Sequence, residues 1–129
     1  MQTITGPSNR ILEINCTEKT WKVSSVEKND LEDYLGGKGL GLKIFYDRFG
    51  KNLSNLDALG PENILCIMTG VLAGSGAPCS ARFSGITKSP LTEIMVTSSC
   101  GGPFGIALRT AGYDGVLFSG RSEEPLLVE

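Results

Sequence analysis

A chain of 129 residues without one histidine has few routes to acid-base or metal chemistry. The residues left to consider are its cysteines, serines, arginines and glycines. Cys16, Cys66, Cys79 and Cys100 lie far apart with no Cys-x-x-Cys pair, so a self-contained zinc or iron-sulfur site is not encoded. They read as reduced thiols, most of them small core residues. Ser80 and Ser84 have no histidine to activate them, and no residue is assigned a catalytic role.

The glycines carry more information. There are 17 among 129 residues, nearly twice the usual share of about 7 %. They cluster at residues 36–41, 70–76 and 101–105, segments that the pattern places between regular elements. A missing Cβ there lets backbone amides come close to a ligand. Any one such loop is explained by turns and tight packing, but three together point to a bound group. Two of them precede helices, where free N–H groups and partial positive charge suit an anion, and residues 99–102 before Pro103 suit it best. Gly37-Lys38-Gly39 lacks the third glycine of the dinucleotide fingerprint, and Lys38 is followed by Gly39 instead of Ser or Thr, so neither nucleotide signature is present. Arg82 directly follows the second loop, where its planar five-donor group could reach a ring or a phosphate.

The elements that must position these loops follow from periodicity. Ile11, Ile14 and Cys16, then Trp21, Val23 and Val26, flank a polar turn and predict a β-hairpin. Asn29 or Asp30, with Glu32 three residues after Asn29, predicts the cap of a short helix that Gly36 stops. Leu40, Ile44, Phe45 and Phe49 then fall on one face of a second helix ending near Gly50. Residues 51–62 read as a loop and 63–69 as a buried strand. Strands are predicted over 82–87 and 94–98 as an antiparallel pair about Ser89-Pro90, with residues 98–102 leading into a helix whose first turn holds Pro103 and which stops at Gly112. Two last strands, 113–119 and 125–128, are expected about a Gly120-Arg121 turn. The sum is an α+β fold, a mixed and largely antiparallel sheet with two or three helices. Strand-like Leu126-Leu127-Val128 run to the last position, so residues 1–129 are expected to be a truncated part of something longer.

A net charge of −2 and scattered basic residues argue against nucleic acid as a partner. No stretch approaches the roughly 20 apolar residues of a membrane span, and Met1 to Asn9 lack the pattern of a leader, so no membrane is expected and the cytoplasm is.

Gly36-Gly37-Lys38-Gly39-Leu40, the run from Thr69 through Gly70-Val71-Leu72-Ala73-Gly74-Ser75-Gly76-Ala77-Pro78 to Arg82, and Thr87-Lys88-Ser89-Pro90-Leu91-Thr92 resemble the N-terminal region of aldehyde ferredoxin oxidoreductases. Gly101-Gly102-x-Phe104-Gly105 and Ala111-Gly112-Tyr113-Asp114 continue the resemblance in order over nearly the whole chain. It implies part of an enzyme that oxidises aldehydes to carboxylic acids with ferredoxin as electron acceptor. In some branches such enzymes reduce acids or aromatic thioesters. Tungsten, occasionally molybdenum, is held by two pterins beside a four-iron four-sulfur cluster. The resemblance also implies one half of a pseudo-two-fold saddle under that cofactor. Arg82 matches the arginine between one pterin and the cluster, and Ser99, Gly101 and Gly102 match the loop beside the pterin phosphates. Gly37 and Gly39 fall in the first glycine motif and join them as cofactor-binding candidates. The backbone carbonyl at the Ser99 position implies a magnesium contact, which a serine preserves because the contact is main-chain. The family's cluster cysteines and proton-transfer residues have no counterpart here, so neither a complete cofactor nor chemistry is expected from this chain alone. The expected partners are the enzyme's remaining domains and ferredoxin, with a homodimer possible in their place. The competing expectation is a free-standing pterin- or phosphate-binding, or structural, module.

Overall fold

The computed structural model describes residues 6–128. Six strands form one sheet: β1 (Arg10–Asn15), β2 (Thr20–Ser25), β3 (Leu65–Thr69), β4 (Phe83–Lys88), β5 (Met95–Cys100) and β6 (Gly115–Ser119). Their order is β2-β1-β6-β3-β4-β5. Every neighbouring pair is antiparallel except β1 with β6, which is parallel. Three helices accompany the sheet, α1 (Lys28–Tyr34), α2 (Gly37–Phe49) and α3 (Phe104–Thr110), plus a 3-10 turn over Leu53–Asn55. The mixed, largely antiparallel α+β fold is the one the pattern predicts.

Alternation of side chains across the pleat gives the sheet two unlike faces. One carries Ile11, Leu117, Cys66, Met68 and Ile86, and α2 lies across it with Leu40 and Phe45 fully buried. Gly41 makes that approach possible, since a methyl group there would stand 2.5 Å from Ile86 Cδ1. Phe45 and Phe49 stack at 5.0 Å between centroids, as their spacing of four requires. Glu13 shares this face. Burial pushes its carboxyl up, but a hydrogen bond from Ser24 and the charges of Lys22 and Arg48 outweigh that and hold it below the ordinary value. The other face carries Leu12, Ile14, Val23, Trp21, Val116, Phe118, Leu65 and Ile67 in register across four strands. Among the described residues α3 covers one end of it and residues 126–128 flank Leu12 and Ile14, while Trp21 stays 69 % exposed.

Several local expectations change. Helix α1 starts at Lys28 with Glu27 at its N-cap and no side-chain cap, so the expected box from Asn29 to Glu32 does not form. Gly37, Gly39 and Gly41 lie inside α2 and not in a loop ahead of it. β5 runs on to Cys100, so Ser99 is a strand residue and not part of a loop. Residues 125–128 form no strand; Leu126, Leu127 and Val128, with Leu12, Ile14, Trp21 and Tyr113, wall a groove of about 520 Å³. Cys66 alone of the thiols is buried, whereas Cys79 and Cys100 are exposed; all four are free. The expectations that rest on Met1 to Thr5 and on Glu129 fall outside the described residues.

Candidate functional site

Strand direction decides which loops meet. β3 ends at Thr69, β4 begins at Phe83, β5 ends at Cys100 and β6 begins at Gly115, and the antiparallel register puts all four at one end of the sheet. The three glycine segments issue from that end. A Cβ on Gly37 would stand 3.5 Å from the Thr69 carbonyl and one on Gly70 3.3 Å from the Arg82 carbonyl, while one on Gly105 would reach 3.1 Å from that of Ala81. The start of α2, the second loop, the entry to β4 and the start of α3 are therefore in backbone contact. Gly70 and Gly105, which make these contacts, were not among the candidate residues. Their signal lay in the two glycine motifs that contain them.

Main-chain direction within β5 follows from two hydrogen bonds. Gly70 N–H donates to the Arg82 carbonyl at 3.1 Å, so residues 82, 84, 86 and 88 turn their backbone groups toward β3. Phe83, Gly85 and Thr87 then face β5, a phase that the 2.9 Å bond from Ser89 N–H to the Ile94 carbonyl carries through the turn. Their partners Cys100, Ser98 and Val96 point inward. Met95, Thr97 and Ser99 consequently turn N–H and C=O outward, to the open edge of the sheet.

Among the named candidates, Ser99 thus offers its main chain to solvent, and its hydroxyl meets that of Ser84 at 3.1 Å across the strand pair. Gly101 and Gly102 are exposed with no atom within 4 Å of where a Cβ would be, and Gly102 has φ +114°, which only glycine adopts freely. Arg82 is exposed beside the second loop, and its side chain makes no hydrogen bond or ion pair among the described residues. Gly37 belongs with this end through its contact with Thr69 and Gly70. Gly39 does not join it; its Cβ position faces the Tyr34 carbonyl at 2.8 Å, a contact between α2 and the end of α1. α3 has only seven residues, and Pro103 brings no N–H, so the free amides here come from strand edge and loop more than from a helix end.

Among the described residues no three His, Cys, Asp or Glu side chains gather as a metal site. Cys66 is inert, its thiol pushed up to about 12 by burial. What remains is open main chain, space beside glycines and one free guanidinium, which suits holding the outer oxygens of an anionic cofactor.

This end of the sheet gathers outward main-chain groups, the glycine segments and the Arg82 guanidinium, with the exposed thiol of Cys100 beside them. The family model described as aldehyde ferredoxin oxidoreductase, N-terminal domain, matches residues 11–129, and the chain belongs to that family. It is 32 % identical over 123 residues to a tungsten-containing aldehyde ferredoxin oxidoreductase of Pyrococcus furiosus, covering 95 % of this chain and 20 % of the relative. It is 33 % identical over the same length to the enzyme of that name from Thermococcus kodakarensis, with the same coverage. An aliphatic sulfonate oxidoreductase, WOR-like subunit, of Pyrococcus furiosus is 31 % identical over 119 residues, 92 % of this chain and 19 % of that one. In structure it is similar to a chain of the active site complex BamBC of benzoyl coenzyme A reductase with 1,5-dienoyl-CoA. The TM-score is 0.86 at 34 % identity, over 92 % of this chain and 18 % of that chain. The chain thus spans about a fifth of the length of the relatives it matches. No helix among the described residues is long and apolar enough to cross a membrane.

Proposed function

We propose that this chain is the N-terminal cofactor-holding part of a tungsten or molybdenum bis-pterin oxidoreductase that oxidises aldehydes to carboxylic acids and passes the electrons to ferredoxin. The observation that carries it is the outward-facing main chain of Ser99 beside the open loop at Gly101 and Gly102, at the end of the sheet where the glycine segments meet. When bound, the metal-pterin group supplies the two-electron oxidation of the substrate. The protein's own part is to hold it. The amides of Gly101 and Gly102 would donate to pterin phosphate oxygens, the Ser99 carbonyl would be a magnesium ligand, and the Arg82 guanidinium would hold the pterin on the side of a four-iron four-sulfur cluster carried by the enzyme. The cysteine ligands of that cluster come from outside these residues. Gly37 sets the first glycine segment against the second, and Gly39 is needed for helix contact.

The uncovered apolar face, which includes Trp21, Val23 and Leu65, supports the rest of the proposal. In the whole enzyme it is covered by the remaining polypeptide, completing the saddle of which this chain is one half. On its own the chain closes two-fold on a second copy through the same face. A cytoplasmic setting, which keeps the four thiols reduced, accompanies this reading.

The test uses the full-length protein, with metal and pterin measured on the purified enzyme as well as aldehyde-dependent reduction of ferredoxin. Gly102→Val and Arg82→Ala should each lower pterin and tungsten content while the fold, followed by circular dichroism, is unchanged. Full cofactor content in both variants would remove this end of the sheet from the site.

A further inference from the structure

The two outer edges of the sheet are not alike. The outer edge of β2 carries Lys22 at its middle, a charge of the kind that discourages further pairing. β5 has no charge, no proline and no bulge over Met95–Cys100, and its register with β4 is unbroken. Its residues 97–100 are all exposed. Met95, Thr97 and Ser99 each present an N–H and a C=O outward, and among the described residues no backbone group meets them. We propose that the outer edge of β5 is a strand-pairing site, filled in the intact enzyme by an uncharged extended segment of the same polypeptide. The inference rests on the reading above that the chain is part of a longer enzyme.

The same polypeptide, and not a second copy, is the occupant because of what the edge can contribute. With Ser99 left to the cofactor end, Met95 and Thr97 offer two outward N–H and C=O pairs, at most four bonds. Each bond formed stabilises by only about 1 kcal/mol, so together they do not exceed an association cost of at least roughly 4 kcal/mol for separate molecules. A tethered segment meets the edge at an effective concentration of order millimolar without that cost. The added strand must also be uncharged. Thr97 and Ser99 on one face, and Val96 and Ser98 on the other, give a partner carboxylate or ammonium no counter-charge. Ser99 lies nearest the cofactor end, so pairing centres on Thr97.

Hydrogen exchange on the full-length protein, resolved to single amides, tests this directly. The Thr97 amide, which donates to nothing in β4, should exchange at least ~100-fold slower than in an unstructured peptide, comparable with the inward Ser98 amide. Thr97→Pro removes only an outward donor, which a free edge tolerates. In the full-length protein it should lower the thermal midpoint by several degrees, whereas a free edge predicts no change. An unprotected Thr97 amide with a neutral proline variant overturns the proposal. Protection that appears only with dimer formation in light scattering overturns it too, by making the occupant a second copy. Intact mass and tungsten content are read on the same sample, so failure of the underlying enzyme reading is seen separately from failure of the edge.

Discussion

Lys88 is the side chain whose removal the structure prices most clearly. It sits on the helix-covered face of β4 and is 1 % exposed. Its ammonium donates to the carbonyls of Leu53 at 3.0 Å and Leu56 at 2.6 Å, and meets Glu93 Oε2 at 2.9 Å. The lysine thereby ties the 3-10 turn and its exit to the sheet, while Asn63 holds the Lys88 carbonyl from the same side. Lys88→Met keeps the stem and leaves the Leu56 carbonyl without a donor, while the Leu53 carbonyl keeps only the Leu56 N–H at 3.3 Å. An orphaned buried carbonyl costs about 1–3 kcal/mol, and the bond lost at Leu53 adds about 1 kcal/mol. Glu93 is 64 % exposed and loses little, because water replaces its partner. Relief from burying a charge offsets part of the loss, leaving about 1–3 kcal/mol. That is a large share of a typical domain stability of about 5–15 kcal/mol. At about 3–6 °C per kcal/mol for a chain of this size, the thermal midpoint falls by roughly 10 °C. Urea denaturation followed by circular dichroism measures it, with Glu93→Gln as the control expected to cost under about 0.5 kcal/mol. A Lys88→Met protein within 1 kcal/mol of the parent, or stabler than it, would show that the carbonyls are satisfied without the ammonium and refute the reasoning.

Gly120→Ala should destabilise by about 1–3 kcal/mol in the same denaturation assay, because φ is +81° and a methyl group would stand 2.6 Å from Thr17 Oγ1. Cys66, whose thiol is pushed up to about 12, should resist a thiol reagent at neutral pH in the folded chain while Cys79 and Cys100 react. Because folding keeps that thiol protonated, stability should fall as pH rises between about 9 and about 12, which pH-dependent melting will follow. Trp21→Lys, at a position 69 % exposed, should leave the melting of this chain nearly unchanged and abolish its self-association in light scattering; persistent dimers would place the interface elsewhere.

The sequence revealed elements through periodicity and hid what depends on distant partners. The hairpin, α2 and the β4–β5 pair all have strong local patterns, and each forms. The final strand does not form: Leu126-Leu127-Val128 satisfy a strand pattern but pair with neither edge of the sheet, and they line the groove beside Ile14 and Trp21 with Leu127 still 82 % exposed. Gly37 and Gly39 looked like loop residues because glycine usually breaks helices, yet a φ of +54° at Gly37 and the close approach of the Tyr34 carbonyl to Gly39 call for it inside α2. A buried lysine in a strand has no signature, since its partners are backbone carbonyls more than thirty residues away. The candidate site was legible as a set of motifs. That Ser99 faces outward was not, because it depends on the phase of a hydrogen-bond ladder, which no residue type encodes.

The parallel pairing of β1 with β6 sets an order of events during synthesis. Asp114 accepts the amides of Ser8 and Asn9 across 106 and 105 residues, and β1 finds its central neighbour only when β6 exists. At a translation rate of about 5–20 residues per second, the hairpin waits on the order of 5–20 s for that strand. During this interval it is a two-stranded ribbon, marginal by itself, with Trp21 and Val23 open to chance contacts. β3, β4 and β5 form from neighbours in sequence and need no such delay. The nascent protein therefore has a late-closing half, and a helper that shields apolar ribbons would act on the hairpin first.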